Sequence, residues 1–115
     1  MKTEIFVTLQ VEGMHYWPGA AEYSPAVSFL ASPHRHIFHI TAYKIVKHND
    51  RDVEFILWKR LILNHLRDTY GVPENDMLYF GRMSCEDIAV EICSQFKCSK
   101  VIVSEDNENG AIVYE

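Results

Sequence analysis

The chain has 115 residues, enough for one domain over 1–115, and its 48% hydrophobic content can support a core. A formal net charge of −5 excludes a duplex-DNA or polyanion surface, because phosphate recognition needs clustered Lys and Arg. No apolar run reaches membrane-span length and the N-terminus lacks a signal-peptide pattern, so a soluble cytoplasmic protein without a membrane partner is expected.

Thr3 to Val11 alternates cleanly, with Ile5, Val7, Leu9 and Val11 on one face, and predicts a half-buried strand. Gly13 ends or bends it, and Met14-His15-Tyr16-Trp17 follows. Residues 18–33 hold Pro18-Gly19, further prolines and several small residues, and predict a loop. A second strand, rich in β formers, is expected from about His34 to Lys47, closed by the polar turn His48-Asn49-Asp50-Arg51-Asp52. Val53 to Phe55 could add a short strand or lead directly into a helix over Ile56–Tyr70, which Gly71 and Pro73 terminate. Glu74 to Arg82 reads as a connector. Ser84-Cys85-Glu86-Asp87 is an approximate capping box opening a second helix through Ile88, Ala89, Ile92, Cys93 and Phe96. Val101 to Ser104 is a strand, Glu105 to Gly110 a hairpin-type turn, and Ala111 to Tyr114 the return strand. Strands first and last with two helices between them predict an α+β fold, an antiparallel β-sheet with both helices on one face.

The chemistry concentrates in Pro33-His34-Arg35-His36-Ile37-Phe38. Residues i and i+2 of a strand share a face, so His34 and His36 can close on one ion. His15, at the end of the preceding apolar run, completes a three-imidazole set, the pattern of a zinc with one position open. Alternation puts Arg35 and His39 on the opposite face. His48 lies in a polar turn and reads as solvated. His65, mid-helix, and Glu54, at a helix start, are weak candidates for acid–base work, with a core or surface position for His65 and a helix-start charge for Glu54 as the simpler readings. Tyr16 and Trp17 either pack or stack a flat ligand. The three cysteines, Cys85, Cys93 and Cys98, lack metal or redox spacing and read as reduced, structural thiols.

Four stretches, in order, resemble the 6-pyruvoyl-tetrahydropterin synthase family, which includes 6-carboxytetrahydropterin synthase. Val11-Glu12-Gly13-Met14-His15 looks like the end of that family's first strand. His34-Arg35-His36-Ile37-Phe38 looks like its paired zinc histidines. Asp52 to Lys59 looks like the start of its first helix. Ser84-Cys85-Glu86-Asp87-Ile88-Ala89 followed by Val101-Ile102-Val103-Ser104-Glu105 looks like its last helix and a Glu-tipped strand. The resemblance implies the tunnelling fold and a ring-type homo-oligomer, with a hexamer as one form. It implies Zn2+ on His15, His34 and His36, and Glu105 anchoring the N–H edge of a pterin or deazapurine ring by paired hydrogen bonds. Zinc would then hold and polarise oxygens at the other end of the ligand.

The chain departs from the family where protons are moved. No cysteine precedes Cys85, whereas the family places a catalytic one just before its histidine pair. The region after the first helix, Arg67-Asp68-Thr69-Tyr70-Gly71-Val72, has no Asp-His pair. Such groups supply roughly 10²–10⁴-fold of rate. The expectations are therefore a zinc-binding, heterocycle-binding protein that is a divergent carbon–oxygen lyase, or an inactive relative acting as a ligand-binding, regulatory or oligomeric interaction module.

Overall fold

A computed structural model describes residues 1–115. The elements are β1 (Thr3–His15), α1 (Ala20–Tyr23), a 3₁₀ segment (Pro25–Ala31), β2 (His34–Val46), α2 (Phe55–Tyr70), β3 (Leu78–Gly81), α3 (Cys85–Phe96), β4 (Lys100–Glu105) and β5 (Asn109–Tyr114). The five strands form one sheet in the order β3-β1-β2-β4-β5.

The α+β layering is as expected, but the sheet is mixed rather than purely antiparallel. β1–β2, β2–β4 and β4–β5 are antiparallel, whereas β3 pairs parallel to β1. The region read as a plain connector contains this strand. α2 carries the chain back across the core face, so Leu78–Gly81 arrives on the free edge of β1 running in its direction. Four residues leave little alternation to detect in sequence. The suggested strand over Val53–Phe55 is absent. Glu54 instead caps α2, its carboxylate accepting from the Ile56 and Leu57 amides at 3.1 and 3.2 Å. The loop over 18–33 is mostly ordered into α1 and the 3₁₀ segment, with Ser24 Oγ accepting from the Ala26 amide.

One face of the sheet carries the core. Val7, Leu9 and Val11 of β1 face Ala42, Ile40 and Phe38 of β2, and Val101 and Val103 of β4 continue the layer. α2 buries Trp58, Ile62 and Leu66, spaced by four, and α3 buries Ile88, Ala89, Ile92 and Cys93 against the same cluster. The apolar coverage of α2 is wider than its buried stripe, and Ile56, Leu57 and Leu61 are exposed. The α3 capping box forms as read, with Ser84 Oγ accepting from the Asp87 amide and Asp87 from the Ser84 amide.

All three cysteines are free and buried within this core. Burial pushes the Cys85 thiol up to about 12, with Glu105 and Glu86 adding to the effect. Burial likewise pushes Cys98 up to about 12 and raises Cys93. The thiolate is the reactive species, so the native thiols are inert. At pH 8, iodoacetamide is expected to label none of the three in the folded protein and all three after unfolding. Rapid labelling of Cys98 in the native state would contradict the placement.

Gly13 sits opposite His36 on the core face, where a Cβ would come within 2.8 Å of Phe80 Cε2 and 3.1 Å of Phe38 Cε2. Both rings are buried, so neither can swing into solvent. Gly13→Ala is expected to cost about 1–3 kcal/mol through overpacking, read as a lower urea midpoint. An unchanged midpoint would mean that the rings yield freely.

Candidate metal centre

The β1–β2 register builds the centre. His15 lies directly opposite His34, and Gly13 opposite His36. All three imidazoles therefore rise from the core face, at the end of the β1–β2 pair that shares a pocket with the N-terminus of α3. One ring nitrogen from each of His15, His34 and His36 lies within 4.8 Å of the others, and the group could hold a metal ion. The rings stand edge to face, with centroids 4.6 Å apart for His15–His34, 5.3 Å for His15–His36 and 5.0 Å for His34–His36. Phe38 is the floor, edge-on to His15 and His36 at 5.2 and 5.7 Å, and it packs on Phe80 at 5.1 Å. Arg35 points to the opposite face and pairs with Glu12.

Each imidazole is held by its Nδ1. His15 Nδ1 lies 2.9 Å from the Met83 carbonyl oxygen, and His34 Nδ1 lies 2.9 Å from that of Ser32. His36 Nδ1 lies 2.7 Å from Asp106 Oδ2. A carbonyl or an ionised carboxylate can only accept, so Nδ1 carries the proton in all three rings and Nε2 is the nitrogen free to bind. Histidine ligands of metals are oriented in this way. Nε2 of His15 and Nε2 of His36 are buried and have no hydrogen-bond partner.

Two of these orienting groups were not legible in the sequence. Met83 is delivered by β3, whose pairing with β1 shifts register between Met14 and His15 before the chain turns at Gly81, φ +64°. Asp106 sits in the β4–β5 turn, which is centred on Asp106 and Asn107 at φ +53° and +59°. Asp and Asn tolerate this left-handed conformation better than most residues. There Asp106 Oδ1 accepts from the Ile37 amide at 2.9 Å while Oδ2 takes His36. The His36 imidazole and the Ile37 amide together hold the Asp106 carboxyl below the usual range.

Glu105, expected to anchor a ring, is placed against the histidines. It pairs with Phe38 across β2–β4 and so shares the core face. Its Oε2 lies 2.9 Å from His15 Nε2, and its Oε1 lies 3.6 Å from His36 Nε2. His15 lowers the Glu105 pKa, burial opposes this, and His36 and His34 add to the lowering. Burial pulls His15 down, but Glu105 and the Met83 carbonyl together outweigh it and leave the imidazole raised.

A pocket of about 490 Å³ opens beside the centre. His15, His34 and Glu105 form one end, Tyr16, Trp17 and Leu30 one wall, and Arg82 with Ser84–Glu86 another. The two weak acid–base candidates are elsewhere. His65 bonds Glu91 at 2.8 Å and meets Phe96, the last residue of α3, edge to face, and Glu54 is committed to capping α2. Neither lines the pocket. His48 lies near Asp52 at 3.6 Å in the polar turn. No helix is long and apolar enough to cross a membrane.

No protein-family model matches the chain, and no curated protein matches it. Among solved structures, the chain is similar to an uncharacterized protein from Wolinella succinogenes at a TM-score of 0.69 and 12% identity, over 100% of this chain and 99% of that one. At that identity the likeness is one of fold, shared over the full length of both chains.

Proposed function

We propose that this protein is a zinc-binding domain of the tunnelling-fold type that binds a flat heterocycle, of pterin or deazapurine class, in the pocket beside its metal. One observation carries the metal: three imidazoles have Nδ1 committed to oxygen acceptors and Nε2 turned to a shared centre, where the buried His36 Nε2 has no hydrogen-bond partner and the buried His15 Nε2 meets only the Glu105 carboxylate. Imidazole sets of this kind suit zinc among the available divalent ions. Zinc bound by His15, His34 and His36 supplies positive charge at one end of the pocket. Tyr16 and Trp17 offer aromatic surface for a planar ring along the wall.

Binding is favoured over turnover. The thiol in the pocket wall, Cys85, is held protonated, and neither His65 nor Glu54 reaches the pocket. This supports the reading of an inactive relative of the lyases that serves as a ligand-binding or regulatory module. Association into a homo-oligomer is supported by the β5 edge, unpaired within the chain, and by the exposed Phe6, Ile45, Ile112 and Tyr114.

Freshly purified protein is expected to carry about one zinc per chain, and His36→Ala to lose it, read by elemental analysis. Folded protein without metal, or with metal indifferent to His36→Ala, would overturn the reading. Pterin and 7-deazaguanine, tested by calorimetry, are expected to bind the zinc form and not the chelator-stripped form.

Asp106→Asn gives a sharper test of the second nitrogen. The Asn oxygen can still take the Ile37 amide, but an NH₂ donor then faces His36 Nδ1 and favours the wrong tautomer. Zinc affinity is expected to fall roughly 10–100-fold with the fold intact, measured by chelator competition. Wild-type affinity would mean that Asp106 does not orient the ligand.

A further inference from the structure

We infer that Glu105 is the fourth protein ligand of this centre, so that the ion is enclosed by three imidazoles and a carboxylate. The inference rests on the metal reading above and alters its chemistry, because a centre with four protein ligands is closed whereas one with three keeps a position for water or substrate.

The first argument is geometric. Metal–nitrogen bonds of about 2.0–2.1 Å and metal–oxygen bonds of about 2.0–2.2 Å in a tetrahedron give ligand-to-ligand edges of roughly 3.3 Å. The Glu105 carboxylate straddles that edge length, with Oε2 2.9 Å from His15 Nε2 and Oε1 3.6 Å from His36 Nε2. The short approach to His15 falls outside hydrogen-bond angles, so the carboxylate is close to the ring nitrogen without pointing a lone pair along its N–H direction. His15 is more than nine-tenths buried and its free nitrogen is aimed at the same point as the carboxylate.

The second argument is electrostatic. Glu105 makes no ion pair with Lys or Arg, and its charged contacts are to His15 and His36 alone. A carboxylate facing an imidazole nitrogen across about 3 Å is attractive only with a positive charge between or on them, supplied by a proton on that nitrogen in the metal-free protein and by a metal ion when one is bound. The Nδ1 contacts place protons on the outer nitrogens, so the neutral rings turn acceptors inward. A divalent ion at the centre satisfies every inward-facing atom at once.

The third argument is the fold. Glu105 is the last residue of β4, opposite Phe38, and the next residue, Asp106, is stitched to β2 by its backbone amide on the Ile37 carbonyl at 2.8 Å. The carboxylate is thereby held at the histidine end of the sheet. With Glu105 as a ligand, the ion ties β1, β2 and β4 together, and a heterocycle meets the wall of a closed centre rather than the metal.

Cobalt replaces zinc and reports its ligands in the visible spectrum. Metal-free wild-type protein loaded with Co²⁺ is expected to show tetrahedral bands that added azide leaves unchanged. Glu105→Ala is expected to bind cobalt more weakly, by more than the roughly 10–100-fold lost with an orienting partner, and to show azide-dependent bands from the opened position. Glu105→Gln, of equal size, replaces it if the alanine variant does not fold. A wild-type spectrum that shifts with azide, or a variant with wild-type cobalt affinity and spectrum, would overturn the fourth ligand and leave the three-histidine centre standing. Folded wild-type protein that takes up no cobalt would overturn both.

Discussion

The antiparallel register of β1 on β2 is the constraint on which the rest of the molecule depends. It sets Val7, Leu9 and Val11 over Ala42, Ile40 and Phe38 to make the core, and the same alternation carries His15, His34 and His36 onto that face. A slip of one residue would turn the three apolar side chains of the slipping strand to solvent. The burial that holds the register therefore also holds the histidines together. Their assembly needs no separate stabilisation.

Where the apolar layer ends, the polar one begins without a gap. Phe38 is shared between them, touching Phe80 on the core side and His15 and His36 on the other. Gly13 is the matching concession, since only a missing side chain leaves room for both rings beneath the imidazoles. The rotation of the rings is set around this floor by oxygen acceptors on three separate segments: Met83 after β3, Ser32 before β2 and Asp106 after β4. Imidazoles held in this way have little freedom left to lose, so the ordering cost of the proposed metal binding would be small.

The pocket follows from the same arrangement. The ordered segment between β1 and β2 contributes Trp17 and Leu30, the α3 N-terminus contributes Ser84, Cys85 and Glu86, and the histidines close the end. The two acid–base candidates singled out from the sequence lie outside the pocket. His65 is spent on Glu91 and Glu54 on a helix cap.

Alternation over Thr3–Val11, the β-rich run from His34, the capping box at Ser84 and the i, i+2 spacing of His34 and His36 were all legible in the sequence. Each is a short-range pattern whose period dictates a face. β3 was not legible, because four residues carry no period and a parallel pairing depends on where α2 returns the chain. Nor were the roles of Met83 and Asp106, since one acts through a backbone carbonyl and the other through a turn whose centre depends on its stitching to β2. Glu105 shows the division most clearly. The sequence by itself determined that an acid tips the last core strand and that three histidines can share a face. Only the tertiary structure decided that the acid faces the histidines, because the β2–β4 register, a contact between residues far apart in the chain, sets where that carboxylate points.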